Sequence, residues 1–114
     1  MQMPKPTEAD KDRFRSLVPD DPRVEIKPMF GNLGAFVDGT MFMGLFGPDV
    51  GLRLAHDDLT ELRAEGAGPF GPAERPMGGW LTLPPSFIGD GRAADWIGRA
   101  MTYATTLPPK PTKR

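Results

Sequence analysis

The stretch that decides the fold runs from Ile26 to Leu54 and reads IKPMFGNLGAFVDGTMFMGLFGPDVGLRL. The dipeptide Asp38-Gly39 lies between two apolar runs and is a strong signal for a two-residue hairpin turn, because glycine adopts positive φ without a Cβ penalty. Gly31-Asn32 and Pro48-Asp49 are further turn signals in the same stretch. We therefore predict an antiparallel meander of three or four strands.

The same turns predict which side chains share a face of the meander, since side chains alternate along a strand. Counting outward from the turns predicts a first face with Phe36, Met41, Met43, Leu45, Leu52 and Leu54. It predicts a second face with Ala35, Val37, Phe42, Gly44, Phe46 and Arg53. Both faces are apolar, whereas a sheet with one solvated face alternates apolar with polar residues. We expect helices to cover one face, and another subunit, a partner or a ligand to cover the other.

Helical signals flank this meander. Thr7 and Asp10 resemble a capping box and predict a first helix from about residue 8 to 18. A short second helix follows the meander and is closed by Gly66 in a left-handed conformation. The longest helix begins at Asp90 or Gly91. Its predicted apolar stripe consists of Trp96, Ile97, Ala100, Met101, Ala104 and Leu107.

The segment between the last two predicted helices contains one further strand, Trp80 to Leu83, which Pro84-Pro85 ends. Phe70 precedes it in a run rich in Gly and Pro, where it anchors the run or forms a brief edge strand. The predicted fold is α+β, an antiparallel sheet made of a β-meander plus one or two further strands, with flanking helices in the order α-βββ-α-β(β)-α.

Composition limits the class of protein. A chain of 114 residues is expected to form one domain over residues 1–114, with tails at 1–6 and 108–114. The net charge of -1 gives no overall attraction to nucleic acid, so we do not expect direct binding of DNA or RNA. The chain has no cysteine and no window apolar enough for a membrane span, and we expect a cytoplasmic protein without disulfides.

Residues with catalytic chemistry are sparse. His56 is the single histidine, beside Asp57 and Asp58, and we interpret this group as a solvated capping turn rather than a metal or acid–base site. The glycines near Gly34 and Gly44 lack the helix that a phosphate loop requires, so we interpret them as turn and close-packing residues. We predict no catalytic residue, no metal site and no cofactor, and we predict that the chain is not an enzyme.

Two groups of residues are candidate binding sites. The first consists of Phe42, Phe46 and Arg53, which the predicted register brings together as an aromatic platform for the guanidinium. The alternative is that Arg53 extends past apolar neighbours to a surface carboxylate while both phenylalanines are core.

The second candidate is a loop site consisting of Arg75, Met77 and Trp80. Its alternative is a loop whose Met77 and Trp80 fold inward and seal the core.

A family resemblance is carried by short motifs in a fixed order. They are Lys27-Pro-Met-Phe-Gly, Gly34-Ala-Phe-Val-Asp-Gly, Met41-Phe-Met-Gly-Leu-Phe-Gly, Leu52-Arg-Leu, Arg75-Pro-Met, Leu83-Pro-Pro and the terminal helix from Trp96 to Leu107. Together they resemble the TfoX N-terminal domain family. The resemblance implies an α+β domain similar to secretion chaperones, a bacterial source and a regulatory role through protein contacts, since the family is named after regulators of natural competence. It carries over no catalytic residue.

Two functions follow as expectations. The first is a non-enzymatic regulatory or adaptor domain that binds an unidentified protein, or a second copy of itself, through the second face. The alternative is a small-ligand-binding protein or an enzyme of another type that uses the loop from Arg75 to Trp80. The sequence ends after the region of resemblance, so we expect a stand-alone N-terminal domain, and a role in competence itself does not follow.

Overall fold

The computed structural model of the chain describes residues 5–29, 31–72, 74 and 76–107. Its helices and strands, in chain order, are α1 (Glu8–Leu17), β1 (Val24–Met29), β2 (Asn32–Val37), β3 (Thr40–Phe46), β4 (Asp49–Arg53), α2 (His56–Ala64), β5 (Trp80–Thr82), α3 (Pro85–Asp90) and α4 (Arg92–Thr106). The predicted α+β class is confirmed. Most residues of the two predicted tails lie outside the described ranges.

Helix α1 begins with the predicted capping box. The Thr7 hydroxyl accepts a hydrogen bond from the Asp10 amide at 3.0 Å, and the Asp10 carboxylate accepts one from the Thr7 amide at 2.9 Å. Two amides that the first helical turn leaves without a backbone acceptor are thereby satisfied. The predicted boundaries of this helix are confirmed to within one residue.

The sheet has five strands in the order β1-β2-β3-β4-β5, and every neighbouring pair is antiparallel. The first four strands form the predicted meander. At the β2–β3 turn Asp38 has φ 50° and Gly39 has φ 84°, which is the pair of positive values that a tight hairpin turn requires. The predicted hairpin at this dipeptide is therefore confirmed.

One face of the sheet carries the hydrophobic core, and all four helices contribute to it. Helix α4 packs across β2, β3 and β4, and α1 and α3 pack against α4. Phe14 of α1, Leu62 of α2 and Phe87 of α3 are buried in the same core as the α4 residues Trp96, Ile97, Ala100 and Ala104. We call this side of the sheet the core face and the other side the second face.

A β-bulge in β3 contradicts the predicted assignment of side chains to faces. Ala35 pairs with Met43, but Phe36 pairs with Met41, so that Phe42 is an extra residue on β3. Phe42 and Met43 are both fully buried in the core. An extra residue inverts the alternation on one side of it. Counting from the turn assumed an uninterrupted ladder and was therefore wrong for Ala35, Phe36 and Val37 of β2 and for Met41 and Phe42 of β3.

The corrections concern both faces. Ala35, Val37 and Phe42 were predicted on the second face and are buried in the core. Phe36 and Met41 were predicted on the first face and lie on the second, where the ammonium of Lys27 is 5.1 Å from the centre of the Phe36 ring. The predicted positions of Phe46 and Arg53 on the second face agree with the observed register.

Two further differences lie after α2. Helix α3 was not predicted, because Pro84-Pro85 was interpreted only as the end of a strand, whereas proline is also favourable at the first position of a helix. Gly91, with φ 86°, separates α3 from α4. Phe70 does not belong to a strand; its neighbour Pro69 forms a single bridge with Leu81.

Candidate functional site

Three glycines on three adjacent strands lie side by side on the second face and form its floor. Gly34 of β2 pairs with Gly44 of β3, and Gly44 pairs with Gly51 of β4. A Cβ atom added at Gly34 would come within 2.8 Å of the Met29 sulfur, and one at Gly44 within 2.9 Å of the Met41 methyl group. We call these three residues the glycine row. They leave a shallow channel in the second face that larger side chains fill from its sides.

The aromatic ring of Phe70 occupies one end of this channel. The ring lies so close over Gly51 that a Cβ atom at that position would overlap with it. It stacks on Trp80 with a centroid distance of 5.6 Å and an interplanar angle of 22°, and Phe46 packs edge-on against it at 6.2 Å. Phe70 and Trp80 are buried but belong to this second, smaller aromatic cluster rather than to the main core.

Hydrogen bonds hold the segment before β5 against the sheet and so position Phe70. The Thr82 amide donates to the carbonyl of Gly68 at 2.8 Å, and the Thr82 hydroxyl donates to the carbonyl of Pro69 at 2.7 Å. The Met77 amide donates to the carbonyl of Phe70 at 2.9 Å. The segment therefore forms one wall of the channel.

A hollow of about 200 Å³, with Gly44 among its lining residues, remains in the channel. Its walls are the rings of Phe46 and Phe70 and the thioether side chains of Met29, Met41 and Met77. Asn32 also lines the hollow, and its side-chain oxygen accepts a hydrogen bond from the Gly47 amide at 2.9 Å. No charged residue lines this hollow within the part of the chain that the structure describes. We call it the glycine-floored hollow.

The predicted platform of Phe42, Phe46 and Arg53 does not form. Phe42 is fully buried in the core. Arg53 is the cross-strand neighbour of Trp80 rather than of Gly44. Phe46 pairs with Asp49, and Arg53 is four residues further along β4, so the two side chains start about 13 Å apart. No ion pair joins the Arg53 guanidinium to a carboxylate among the described residues.

The predicted loop site is partly outside the described residues, since Arg75 is not among them. Of the other two members, Trp80 is 8% exposed and stacks on Phe70 in the smaller aromatic cluster, outside the main core. Met77 is 38% exposed and lines the glycine-floored hollow. The tertiary structure thus brings a residue of the loop candidate, Met77, next to Phe46 of the sheet candidate.

Sequence reasoning missed the other residues of this site. Met29, Met41 and Phe70 come from β1, β3 and the segment before β5, and only the tertiary structure brings them together. The glycine row was the signal in the sequence that could have indicated this site. Gly34, Gly44 and Gly51 each lie inside a predicted strand, where glycine marks a close approach of another group.

The polar groups in the described part of the chain form no second candidate site. His56 is exposed as the first residue of α2. Within the described residues, no group of three or more His, Cys, Asp or Glu side chains is placed to hold a metal ion. None of the described helices has the length and hydropathy needed to cross a membrane.

A cluster of charges among the described residues joins α2 to α4. The Arg99 guanidinium lies 3.2 Å from Asp58, 3.1 Å from Glu61 and 3.2 Å from Asp95, and it stacks over the Trp96 ring at 4.2 Å. Its hydrogen bond to Glu61 raises the pKa of Arg99, with further contributions from the other two carboxylates. This cluster connects two helices on the core side of the sheet and lies away from the glycine-floored hollow.

We predict that Gly51→Ala will lower the free energy of unfolding by about 1–3 kcal/mol, the usual cost of overpacking a buried site. The added methyl group would displace the Phe70 ring and so disturb its stack with Trp80. Urea unfolding measures the loss, and near-UV circular dichroism should report the altered tryptophan environment.

Gly98→Ala is the matched control, since a Cβ atom there meets no atom within 4 Å. This control lies inside α4 on its exposed side and should stabilise the protein by about 0.5–1 kcal/mol. Equal stability of Gly51→Ala and the parent would contradict the tight packing of Phe70 on the glycine row.

These observations define an α+β domain with an antiparallel sheet, helices on one face and an apolar hollow on the other. The family model for the TfoX N-terminal domain matches residues 12–104 of the chain. The chain belongs to the TfoX N-terminal domain family and is a competence-regulator-like domain. A search of curated proteins finds no match to this chain.

Proposed function

We propose that this domain is a non-enzymatic regulatory or adaptor module that binds another protein through the second face of its sheet. Family membership supports a competence-regulator-like role. The second face is the proposed contact surface because the described helices cover only the core face of the sheet. The partner is an unidentified protein or a second copy of the chain, and the proposed compartment is the cytoplasm.

The observation that carries this proposal is the apolar character of a face that no described helix covers. Phe36, Met41 and Phe46 are only partly buried there, and Met77 is the large hydrophobic side chain that is most exposed in the described part of the chain. Aromatic residues, methionine and arginine are enriched in protein interfaces. Arg53 lies on the same face, without a carboxylate partner among the described residues.

Nucleic acid is a less suitable partner, as the charge balance led us to expect. The basic side chains of α1 already have partners within the protein. Lys11 pairs with Glu8 at 3.6 Å and Arg15 with Asp12 at 3.1 Å, while Arg13 donates a hydrogen bond to the Pro48 carbonyl at 2.8 Å. A phosphate backbone would have to compete with these contacts, and the neighbouring carboxylates would repel it.

The test compares two methionines of similar partial burial on opposite sides of the protein. Met41 lies on the second face and Met101 on α4. We expect Met41→Ser to weaken capture of the partner from the native host at least about tenfold, as truncation of a central interface residue does. Met101→Ser should leave capture unchanged. Sedimentation of the same samples shows whether the partner is a second copy.

Two outcomes would contradict the proposal. One is a wild-type protein that is monomeric and captures no protein from its host. The other is a folded Met41→Ser variant that captures its partner as well as Met101→Ser does. Thermal melts of both variants establish that each is folded.

A further inference from the structure

The second face of the sheet is uneven, because the segment before β5 covers only one half of it. On β4 the ring of Phe70 covers Gly51. At Gly34 of β2, the atoms nearest to an added Cβ belong to three side chains of the sheet itself, Met29, Phe36 and Met41. The face is therefore raised on its β4 side and low on its β1 and β2 side.

The two halves of this face also carry opposite charges. Beside the glycine row, the observed register aligns one residue of each strand in a second row, in the order Glu25, Phe36, Met41, Arg53 and Trp80. The Glu25 side chain is 69% exposed, although the ammonium of Lys27 lies 3.8 Å from its carboxylate. Arg53 forms no ion pair with a carboxylate among the described residues. The low half thus presents an accessible carboxylate and the raised half a guanidinium.

A second copy of the chain complements the uneven shape. A two-fold axis that runs along β3, between two facing sheets, places β2 of one copy over β4 of the other and β1 over β5. The raised half of each copy then meets the low half of the other. This arrangement is the aligned packing that two sheets commonly adopt face to face. An axis across the strands would instead place the two raised halves on each other and hold the low halves apart.

The same axis brings the opposite charges together. It places Arg53 of one copy over Phe36 of the other, because both residues belong to the same row. Glu25 of the other copy is then one strand spacing away, about 4.8 Å. A guanidinium over an aromatic ring with a carboxylate beside it makes a cation–π contact and a charge-assisted hydrogen bond. Two-fold symmetry forms this contact twice.

We propose that the partner of the second face is a second copy of this chain, bound about a two-fold axis along β3 with Arg53 of each copy on Phe36 and Glu25 of the other. The inference rests on the proposed function, since it names the partner of the same surface. Five strands about 4.8 Å apart and roughly six residues long give a face of about 24 by 20 Å, so two copies bury about 1,000 Å² in total. This area is at the lower limit for a specific interface, and the dimer is therefore reversible, with a Kd on the order of 1–100 μM.

The experiment is a charge exchange measured by sedimentation of the whole chain from about 1 to 500 μM, a range that spans the expected Kd. The parent should pass from monomer to dimer over this range. Arg53→Glu and Glu25→Arg should each weaken the dimer at least about tenfold, because each places like charges opposite one another twice. The double variant reverses both charges and should restore association to within about threefold of the parent.

The matched control is Arg15→Glu, a charge reversal at an exposed position of α1, which should leave association unchanged. Thermal melts establish that each variant is folded. Glu25→Arg changes an exposed residue of the edge strand β1 and provides the decisive single variant if Arg53→Glu does not fold. Unchanged association of the folded single variants, or a double variant no better than the singles, would overturn the proposal.

The failure of this inference and the failure of the proposed function give different results. A chain that stays monomeric at the highest concentration but captures a different protein through Met41 overturns the second copy as partner and leaves the proposed function standing. A chain that stays monomeric and captures no protein overturns both.

Discussion

Phe42→Ala is expected to lower the free energy of unfolding by about 3–5 kcal/mol. The side chain is 0% exposed and is packed in the core between the sheet and the helices, so that its truncation leaves a cavity. Total stability of a domain is about 5–15 kcal/mol, and the variant should therefore be close to unfolding. Urea denaturation at 25 °C, with the slope compared to that of the parent, measures the loss.

The matched control for this prediction is Phe46→Ala, four positions further along β3. Phe46 is partly exposed on the second face, so its truncation should cost less than about 2 kcal/mol. Similar losses for the two variants would contradict the bulge, because in an uninterrupted strand both phenylalanines lie on the same face. The pair of variants therefore tests the register as well as the core.

Trp96→Ala is expected to be equally severe, with a loss of about 3–5 kcal/mol. Trp96 is 5% exposed, at the centre of the buried stripe of α4. Its ring also supports Arg99, whose guanidinium lies 4.2 Å above it. The substitution therefore removes core volume and the surface that orients the ion-pair cluster between α2 and α4.

Arg99→Ala separates these two contributions. The Arg99 side chain is 34% exposed, and surface ion pairs contribute little, about 0–1 kcal/mol each. Arg99→Ala should therefore cost much less than Trp96→Ala. A Trp96→Ala variant that melts within about 2 °C of the parent would contradict the core position of this residue, since 1 kcal/mol shifts the melting temperature of such a domain by several degrees.

The separation of the two sheet faces has a consequence for function. The main core lies on one side of the sheet and contains residues from all four described helices. The smaller cluster of Phe46, Phe70 and Trp80 lies on the other side. Residues at the rim of that cluster can change without opening a large cavity in the main core, and the proposed partner contact can therefore be tested by substitutions that retain the fold.

Local chemistry in the sequence was sufficient to predict most of the fold. The capping box at Thr7 and Asp10, the turn at Asp38-Gly39 and the apolar stripe of α4 from Trp96 to Ala104 are each confirmed. Each depends on interactions among residues close in the chain, such as a side-chain cap, a positive φ or a helical period. The ordered motifs that resemble the TfoX N-terminal domain family are confirmed by the match of the family model.

The residues of the candidate site were assigned incorrectly because the β-bulge at Phe42 has no local signal in the sequence. Phe42 is an extra residue on β3, and this single residue places Phe36, Met41 and Phe42 on the faces opposite to those predicted for an uninterrupted strand. When both faces of a sheet are apolar, an apolar side chain is suitable on either face. The sequence pattern therefore does not distinguish a bulged strand from an uninterrupted one. The sequence therefore indicated that a second apolar face exists but assigned several residues to the wrong side.

The sequence by itself determined the elements of this protein other than α3, their order and the presence of two apolar sheet faces, because turns, caps and periodicity act over a few residues. Only the tertiary structure decided which residues form the site. Gly34, Gly44 and Gly51 become one floor through the register of three strands, and Phe70 reaches Gly51 from a segment with no regular structure. These contacts join residues far apart in the chain, and their geometry follows from packing rather than from local sequence.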